Sequence, residues 1–367
     1  MEMQSWTFLA VPLVAFVLAA SGLPLAKRLA TRYGIVATPY SDSRHSAPTP
    51  LLGGAAIVVA VLAAMAVAGA LPLWMLVGAA GLFAVGLVDD SIVLKPLRKF
   101  LMQLAVVVFV VAVAPGFGLL PWPLLAAALA VFWLVSTVNA FNLADGLDGL
   151  AGGVGIVAAL AVTTIGLMRH DLAVAYQGLA IAGALGGFLI HNLHPASIFM
   201  GDCGALPLGL LLGITALHAG GLAAAHSRLS RYVVPILIML MPLLDTAIVS
   251  VSRMATGIPV SRRGLDHSHH RLLVLGLSDE RAVAVCWGIA LASGLCAVAL
   301  AVMPHAYVIA LLPFIAVTFA LVGLFMIDLT FDSNPPGIAY GRLQWLARLI
   351  LSFSYKRRAA EAALDLV

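Results

Sequence analysis

Residues 122–168 read WPLLAAALAVFWLVSTVNAFNLADGLDGLAGGVGIVAALAVTTIGLM. Two apolar runs, 122–139 and 150–168, flank one polar string. Each run approaches the roughly 20 residues that cross a bilayer as a helix. An open strand would leave its backbone groups unpaired in lipid, so both runs read as helices. The string between them holds Asn139, Asn142, Asp145 and Asp148. Acids at a membrane edge are costly and are functional by default.

Working outward, the same alternation recurs along the chain. Further apolar segments lie at 6–26, 51–70, 73–88, 100–115, 173–191, 205–219, 232–252, 281–303 and 306–327. The expectation is an all-α, polytopic integral membrane protein with about 11 transmembrane helices, or ten if one segment is re-entrant or two merge. Composition agrees: 62% of the 367 residues are hydrophobic and 10% charged, with mean hydropathy +1.08. A soluble domain carries about a quarter charged residues. An ordinary cytosolic globule, a disordered chain and a nucleic-acid binder are thereby excluded. Cys203, Cys286 and Cys296 are too few, and too apolar in setting, for a disulfide framework or a zinc cluster. Segment 6–26 has no basic stretch before it and reads as a retained span rather than a signal peptide.

Lys and Arg set the orientation. With eleven spans and an external N-terminus, 17 of the 20 cations fall on one side; only Arg169, Arg228 and Arg231 do not. That side is expected to be cytosolic, in the plasma (cell inner) membrane, with the C-terminus also cytosolic. The orientation rule makes no demand on acids, yet 14 of 16 share the crowded face. Acids and cations gathered there suggest a polar, anion-handling site at the cytosolic mouth. After residue 327 the composition changes. Arg342, Arg348 and Lys356–Arg358 are interleaved with Leu343, Trp345, Leu346 and Ile350. The chain thus divides into a transmembrane domain, 1–327, and a cytosolic amphipathic tail, 328–367, read as an anchor on the inner leaflet.

Four constellations carry chemistry. Asp89 and Asp90 end the third span, and adjacent carboxylates are hard ligands suited to Mg²⁺, or alternatively Mn²⁺. Lys95, Arg98 and Lys99 follow within ten residues. On a helix, Asn142, Asp145 and Asp148 could share a face, three residues apart. The glycines suggest instead a broken helix end with exposed N–H groups, useful for a phosphate. The third string runs from His191 and Asn192 through His194 and Phe199 to Gly201, Asp202 and Gly204. Asp202 between glycines can approach a ligand closely; His191 and His194 read as interfacial residues. The fourth holds Arg262, Arg263, Asp266, His267, His269, His270 and Arg271. Three histidines in four residues suggest zinc at first. The flanking arginines argue instead for pyrophosphate, with imidazole as hydrogen-bond donor. Asp245 is left between pairing with Arg253 and supporting this site.

Together these strings resemble the polyprenyl-phosphate N-acetylhexosamine-1-phosphate transferases. The resemblance rests on Asp89-Asp90, the Asn142–Asp148 string, Phe199-Met-Gly-Asp202 and His267-x-His269-His270, in order and at the right spans. His45 with Pro48, Pro50, Gly53 and Gly54 fits the family's first cytosolic loop, although Ser43 and Leu51 stand where many members carry basic residues. The His-x-His-His form is similar to the branch that uses UDP-N-acetylglucosamine for surface polysaccharides. The implied reaction joins a UDP-N-acetylhexosamine and polyprenyl phosphate into a polyprenyl-diphosphate-sugar, releasing UMP, with Mg²⁺. By the same resemblance Asn142 and Asp202 match metal ligands, and Asp89 and Asp90 the catalytic acid pair. Lys99, His267, His269 and His270 match residues at the phosphates. Asp145, Asp148, Asn192 and Phe199 match positions around the uridine, and His45, Arg262 and Arg263 are placed with substrate binding. UDP-N-acetylmuramoyl-pentapeptide is the alternative donor. A homodimer is a further expectation, though no segment specifies an interface. Among rivals, a transporter would place ionisable groups near the bilayer midplane, often with repeat symmetry, and neither is present here. A scaffold that has lost catalysis would not need all these acids. A CDP-alcohol phosphotransferase motif does not match residues 145–153.

Overall fold

The computed structural model describes residues 2–38, 48–117, 119–257, 259, 264, 266–274 and 276–331. Helix α1 covers Glu2–Tyr33. A two-residue antiparallel ladder follows, β1 (Val36–Ala37) against β2 (Thr49–Pro50). Then come α2 (Gly53–Val67), α3 (Leu73–Ile92), α4 (Pro96–Val113), α5 (Pro123–Ala144), α6 (Leu150–Met168), α7 (Leu172–Asn192) and α8 (Asp202–Ala223). The chain continues through α9 (Ser230–Ile238), α10 (Leu240–Thr256), α11 (Ser268–Val274), α12 (Asp279–Val302) and α13 (His305–Phe331).

Among the described residues nine helices are long and apolar enough to cross a membrane, or ten if α9 and α10, bent by 81° at their junction, form one broken span rather than a re-entrant loop. Helix α2 is the eleventh apolar segment. Its 15 residues reach only about 22 Å at 1.5 Å per residue, short of a hydrocarbon layer of roughly 30 Å. The helix takes up Gly53–Val67 of the expected segment 51–70: Ala68 is its C-cap, and Gly69 follows at φ +66°. Segment 232–252 is interrupted at Met239, just before Pro242 in the first turn of α10, which has no N–H to offer Ile238 O and so cannot continue α9. Other spans are longer than expected. Helix α1 continues until Gly34, whose φ of +71° ends it. Helix α4 starts at Pro96, a residue whose missing N–H and fixed φ suit a first helical position. Arg98 and Lys99 therefore sit in its opening turns. Residues 328–331 complete α13, and the remainder of the expected tail lies outside the described residues.

The chain separates into two compact units: Met1–Leu243 with Ser278–Leu312, and Leu244–Leu277 with Pro313–Val367. In the first, α8 is the central element, buried over nearly its whole length. A helix apolar all round belongs inside. Small residues let its neighbours approach to backbone contact. A methyl at Gly54 of α2 would come within 2.2 Å of Gly204 Cα, and one at Gly86 of α3 within 2.3 Å of the Asp202 carbonyl. Gly209 meets Val138 Cα of α5 in the same way. Gly183 and Gly187 of α7 seat the backbone of α1 at Pro12 and Phe16, so this pair serves helix packing as its spacing suggested. The Trp287 ring of α12 fills the space over Gly153 of α6.

These contacts generate a direct test. Gly54→Ala is expected to lower the melting temperature in detergent, because overpacking of this kind costs about 1–3 kcal/mol. Gly288→Ala in α12, with nothing within 4 Å of the new methyl, is expected to melt at or slightly above the parent, since alanine favours helix by roughly 0.8–1 kcal/mol.

Candidate active site

The first unit gathers polar groups at one end of α3, α4, α5 and α8. Helix α5 ends at Ala144, so Asn139 and Asn142 lie one turn apart on its last turns. Asp145 and Asp148 fall in the following turn, closed by Gly149 at φ +77°. The shared helical face is therefore not formed; the broken helix end is. Helix α8 opens at Asp202, after Gly201 in a left-handed conformation. Phe199 is stitched to the start of α2: its N–H donates to Pro50 O at 2.8 Å and its carbonyl accepts from Gly53 N at 3.0 Å.

At the centre stands Lys99. Its ammonium is 3.1 Å from Asp89 Oδ2, donates to Asn142 Oδ1 at 3.3 Å and contacts Asp202 Oδ2. The Asn142 amide donates to the other Asp202 oxygen. Three side-chain oxygens from α3, α5 and α8 thus converge on one cation from α4. Asp89 is fixed further by Leu94 N–H, which donates to its Oδ1 at 2.6 Å. Asp90 points elsewhere: its two oxygens accept from Asp202 N and Cys203 N, each at 2.9 Å. The adjacent acids therefore have different partners.

The other expected positions lie around the α5–α6 turn. Asn192 accepts from Gly149 N at 2.9 Å and donates to Ile198 O at 3.0 Å, pinning the turn to the loop after α7. Asp148 accepts from Ala196 N at 2.9 Å and lies 3.0 Å from His194 Nδ1. His194, read from sequence as merely interfacial, is thus a partner of Asp148. Asp145 is half-buried. Burial, then the carboxylates of Asp202, Asp90 and Asp148, push its pKa up to about 7.

The histidine string belongs to the second unit. His267 Nδ1 lies 2.7 Å from Asp245 Oδ2, with Ser268 N donating to the other oxygen. Asp245 does not pair with Arg253, one of the two options its sequence position left open. Arg253 instead grips Asp266 through two bonds, of 2.9 and 2.7 Å. Burial works against ionisation of Asp266, but this guanidinium outweighs it and holds the carboxyl below its ordinary range. His269 stacks on His267 at 5.6 Å and lies 4.2 Å from His270 between ring centres. His45, Arg262 and Arg263 lie outside the described residues.

Among the described residues no three His, Cys, Asp or Glu groups form a metal-binding set. The donors that do converge are two carboxylates and one amide oxygen, hard ligands of the kind Mg²⁺ takes. Asp89, Asp90, Asp145 and Asp202 formally outweigh Lys99 by three charges when all ionise.

The family model described as glycosyl transferase family 4 matches residues 72–220, the stretch that builds this cluster. A probable undecaprenyl-phosphate N-acetylglucosaminyl 1-phosphate transferase of Bacillus subtilis is 33% identical over 277 residues, covering 72% of this chain and 76% of the relative. The chain belongs to glycosyl transferase family 4. A decaprenyl-phosphate N-acetylglucosaminephosphotransferase of Mycolicibacterium smegmatis is 35% identical, over 70% of this chain and 72% of the relative. A phospho-N-acetylmuramoyl-pentapeptide-transferase of Limosilactobacillus fermentum is 34% identical, over 69% and 83%. This membership agrees with the resemblance read from the motifs and makes the protein a multi-pass membrane transferase.

Asp145 gives a pH test. A folded pKa of about 7 against an ordinary value of about 3.9 means the ionised form destabilises the fold. The stability contributed by the neutral form is whole below pH about 4 and is lost as pH rises through about 7. Asp145→Asn is neutral throughout. It is expected to melt above the parent at pH 8, with the difference closing towards pH 4, in thermal scans with EDTA. An equal difference at both pH values would contradict the assignment.

Proposed function

We propose that the protein transfers N-acetylhexosamine-1-phosphate, N-acetylglucosamine-1-phosphate in the first instance, from a UDP-sugar to polyprenyl phosphate. The products are a polyprenyl-diphosphate-sugar and UMP, and the product lipid starts cell-envelope polysaccharide synthesis. The observation that carries this reading is the convergence of Asp89, Asn142 and Asp202 on Lys99 in a chain related to transferases of that name. The lipid acceptor accounts for the membrane setting, and the nucleotide donor for placing the site on the cytosolic side.

In this reaction an oxygen of the lipid phosphate attacks the β-phosphorus of the donor in line. The bond from that phosphorus to the bridging oxygen breaks, and its electron pair leaves with UMP. The sugar C1–O bond is never broken, so the anomeric configuration is kept. Both reactants are anions, and their approach costs Coulomb repulsion that nearby cations must offset. Asp202, Asn142 and Asp89 would hold Mg²⁺, which supplies neutralising charge to the phosphates. Lys99 adds a fixed positive charge between the acids. A phosphate monoester with second pKa near 6 is mostly ionised at neutral pH, so little general base is needed. Around the donor, we assign Asp145, Asp148, Asn192 and Phe199 to the uridine, and His267, His269 and His270 to the phosphates. The Limosilactobacillus fermentum relative supports a second reading, the same chemistry with UDP-N-acetylmuramoyl-pentapeptide.

UMP release by the purified protein in detergent tests both readings. Polyprenyl phosphate is supplied with UDP-N-acetylglucosamine, UDP-N-acetylgalactosamine or the pentapeptide donor. Lipid-dependent release with UDP-N-acetylglucosamine, abolished by EDTA, is expected. Asp202→Asn is expected to lower kcat by about 10²–10³, the usual loss when one electrostatic stabiliser of a phosphoryl transition state is removed. Release only with the pentapeptide donor establishes the second reading. No release from folded protein with any donor overturns both.

A further inference from the structure

We propose that Asp90 is a positioning residue. It caps α8 from the neighbouring helix α3 and so fixes where Asp202 stands, while Asp89 alone of the pair faces the reacting groups. The functional part of this assignment rests on the transferase reading above.

The first amides of any helix have no partner within it and need acceptors. A side chain at the N-cap usually serves, but α8 has Gly201 there, which carries none. Asp90 takes over that role across the interface: one oxygen receives Asp202 N and the other Cys203 N, both at 2.9 Å. Its negative charge also lies at the positive end of the α8 dipole, where a carboxylate is stabilised. The fit is tight. One turn before Asp90, the backbone at Gly86 leaves no room for a methyl beside Asp202 and Cys203. A methyl at Gly201 would lie 2.7 Å from Asp90 Oδ2 and 2.2 Å from Leu51 O. Asp90 is thereby held against the main chain of α8.

Asp89, one residue earlier, is turned by about 100° around the helix. Its carboxylate meets Lys99 at 3.1 Å, the cation that also touches Asp202 and Asn142. Because the cap binds the main chain of Asp202 itself, loss of the cap displaces that carboxylate relative to Lys99 and Asn142. Asp90 thus acts on the chemistry through Asp202, not by taking a proton.

Four variants separate this from a shared acid–base role: Asp90→Asn, Asp90→Leu, Asp89→Asn and Asp89→Leu, each purified at full length. Melting temperature, Mn²⁺ affinity by electron paramagnetic resonance and UMP release are measured on each. Asparagine keeps one acceptor oxygen for the two N–H groups and is no base, so Asp90→Asn is expected to melt between the parent and Asp90→Leu, with Mn²⁺ affinity and transfer falling together by no more than roughly tenfold. Asp90→Leu is expected to melt lower and to weaken Mn²⁺ binding by roughly 2- to 30-fold, the range that loss of a cap implies. Asp89→Asn is expected to lose transfer and to melt no higher than the parent, because it gives up the charge that pairs with Lys99 at 3.1 Å. The proposal is overturned if Asp90→Asn loses transfer as Asp89→Asn does while keeping the parent's melting temperature and Mn²⁺ affinity. If Asp90→Leu does not fold, Asp90→Asn decides alone. A parent that releases no UMP refutes the transferase reading, and the melting and Mn²⁺ comparisons still judge the cap.

Discussion

Close backbone approach at the first turn of α8 is the constraint on which the site depends. Stretches of chain far apart in sequence meet there: the start of α2 at Gly54, the end of α3 at Gly86 and Asp90, and the loop carrying Gly201. Glycine at each contact removes the side chain that would hold the backbones apart. In lipid the helices gain no hydrophobic driving force from one another, so such packing and the hydrogen bonds across it hold the assembly. Because the helices touch, two acids and an amide from three of them reach a single ammonium on a fourth.

The electrostatics follow from that packing. Four carboxylates lie close enough to influence one another, and Lys99 alone does not balance them. The arrangement answers the imbalance in three ways. Asp90 is held by main-chain N–H groups, Asp89 and Asp202 share the ammonium, and burial pushes Asp145 towards neutrality. In the proposed reaction a divalent cation would offset the excess negative charge and so let anionic phosphates approach. The two histidine-string pairs, His267 with Asp245 and Arg253 with Asp266, solve the same problem within the second unit.

The sequence was most legible where the lipid constraint acts. All-α architecture and the places of the apolar segments follow from runs near 20 residues, because a backbone in hydrocarbon has only the helix available. Exceptions arose from local stereochemistry. Helix α2 stops before Gly69, whose φ is +66°, and the apolar run 232–252 breaks at Met239, ahead of Pro242. The site residues were visible as acids and amides beside spans, since their presence at a membrane edge is costly. Their partners were not. Nothing in the adjacency of Asp89 and Asp90 says that one faces a cation and the other a helix end. His194 carried no signal that would set it beside Asp148, 46 positions away.

By itself, then, the sequence determined the class of fold, the membrane setting, the family and the polar residues from which the cluster around Lys99 is built. Each of these depends on hydropathy, residue type or short spacing, all properties of the chain read in order. The tertiary structure alone decided which of those residues meet. Asn142 and Lys99 are 43 positions apart, and Lys99 and Asp202 are 103. Whether such groups touch is set by how closely α3, α4, α5 and α8 pack. The division of labour between Asp89 and Asp90 has the same origin. A turn of about 100° per residue sends neighbouring side chains to different helices, and only the packed bundle determines what each one finds there.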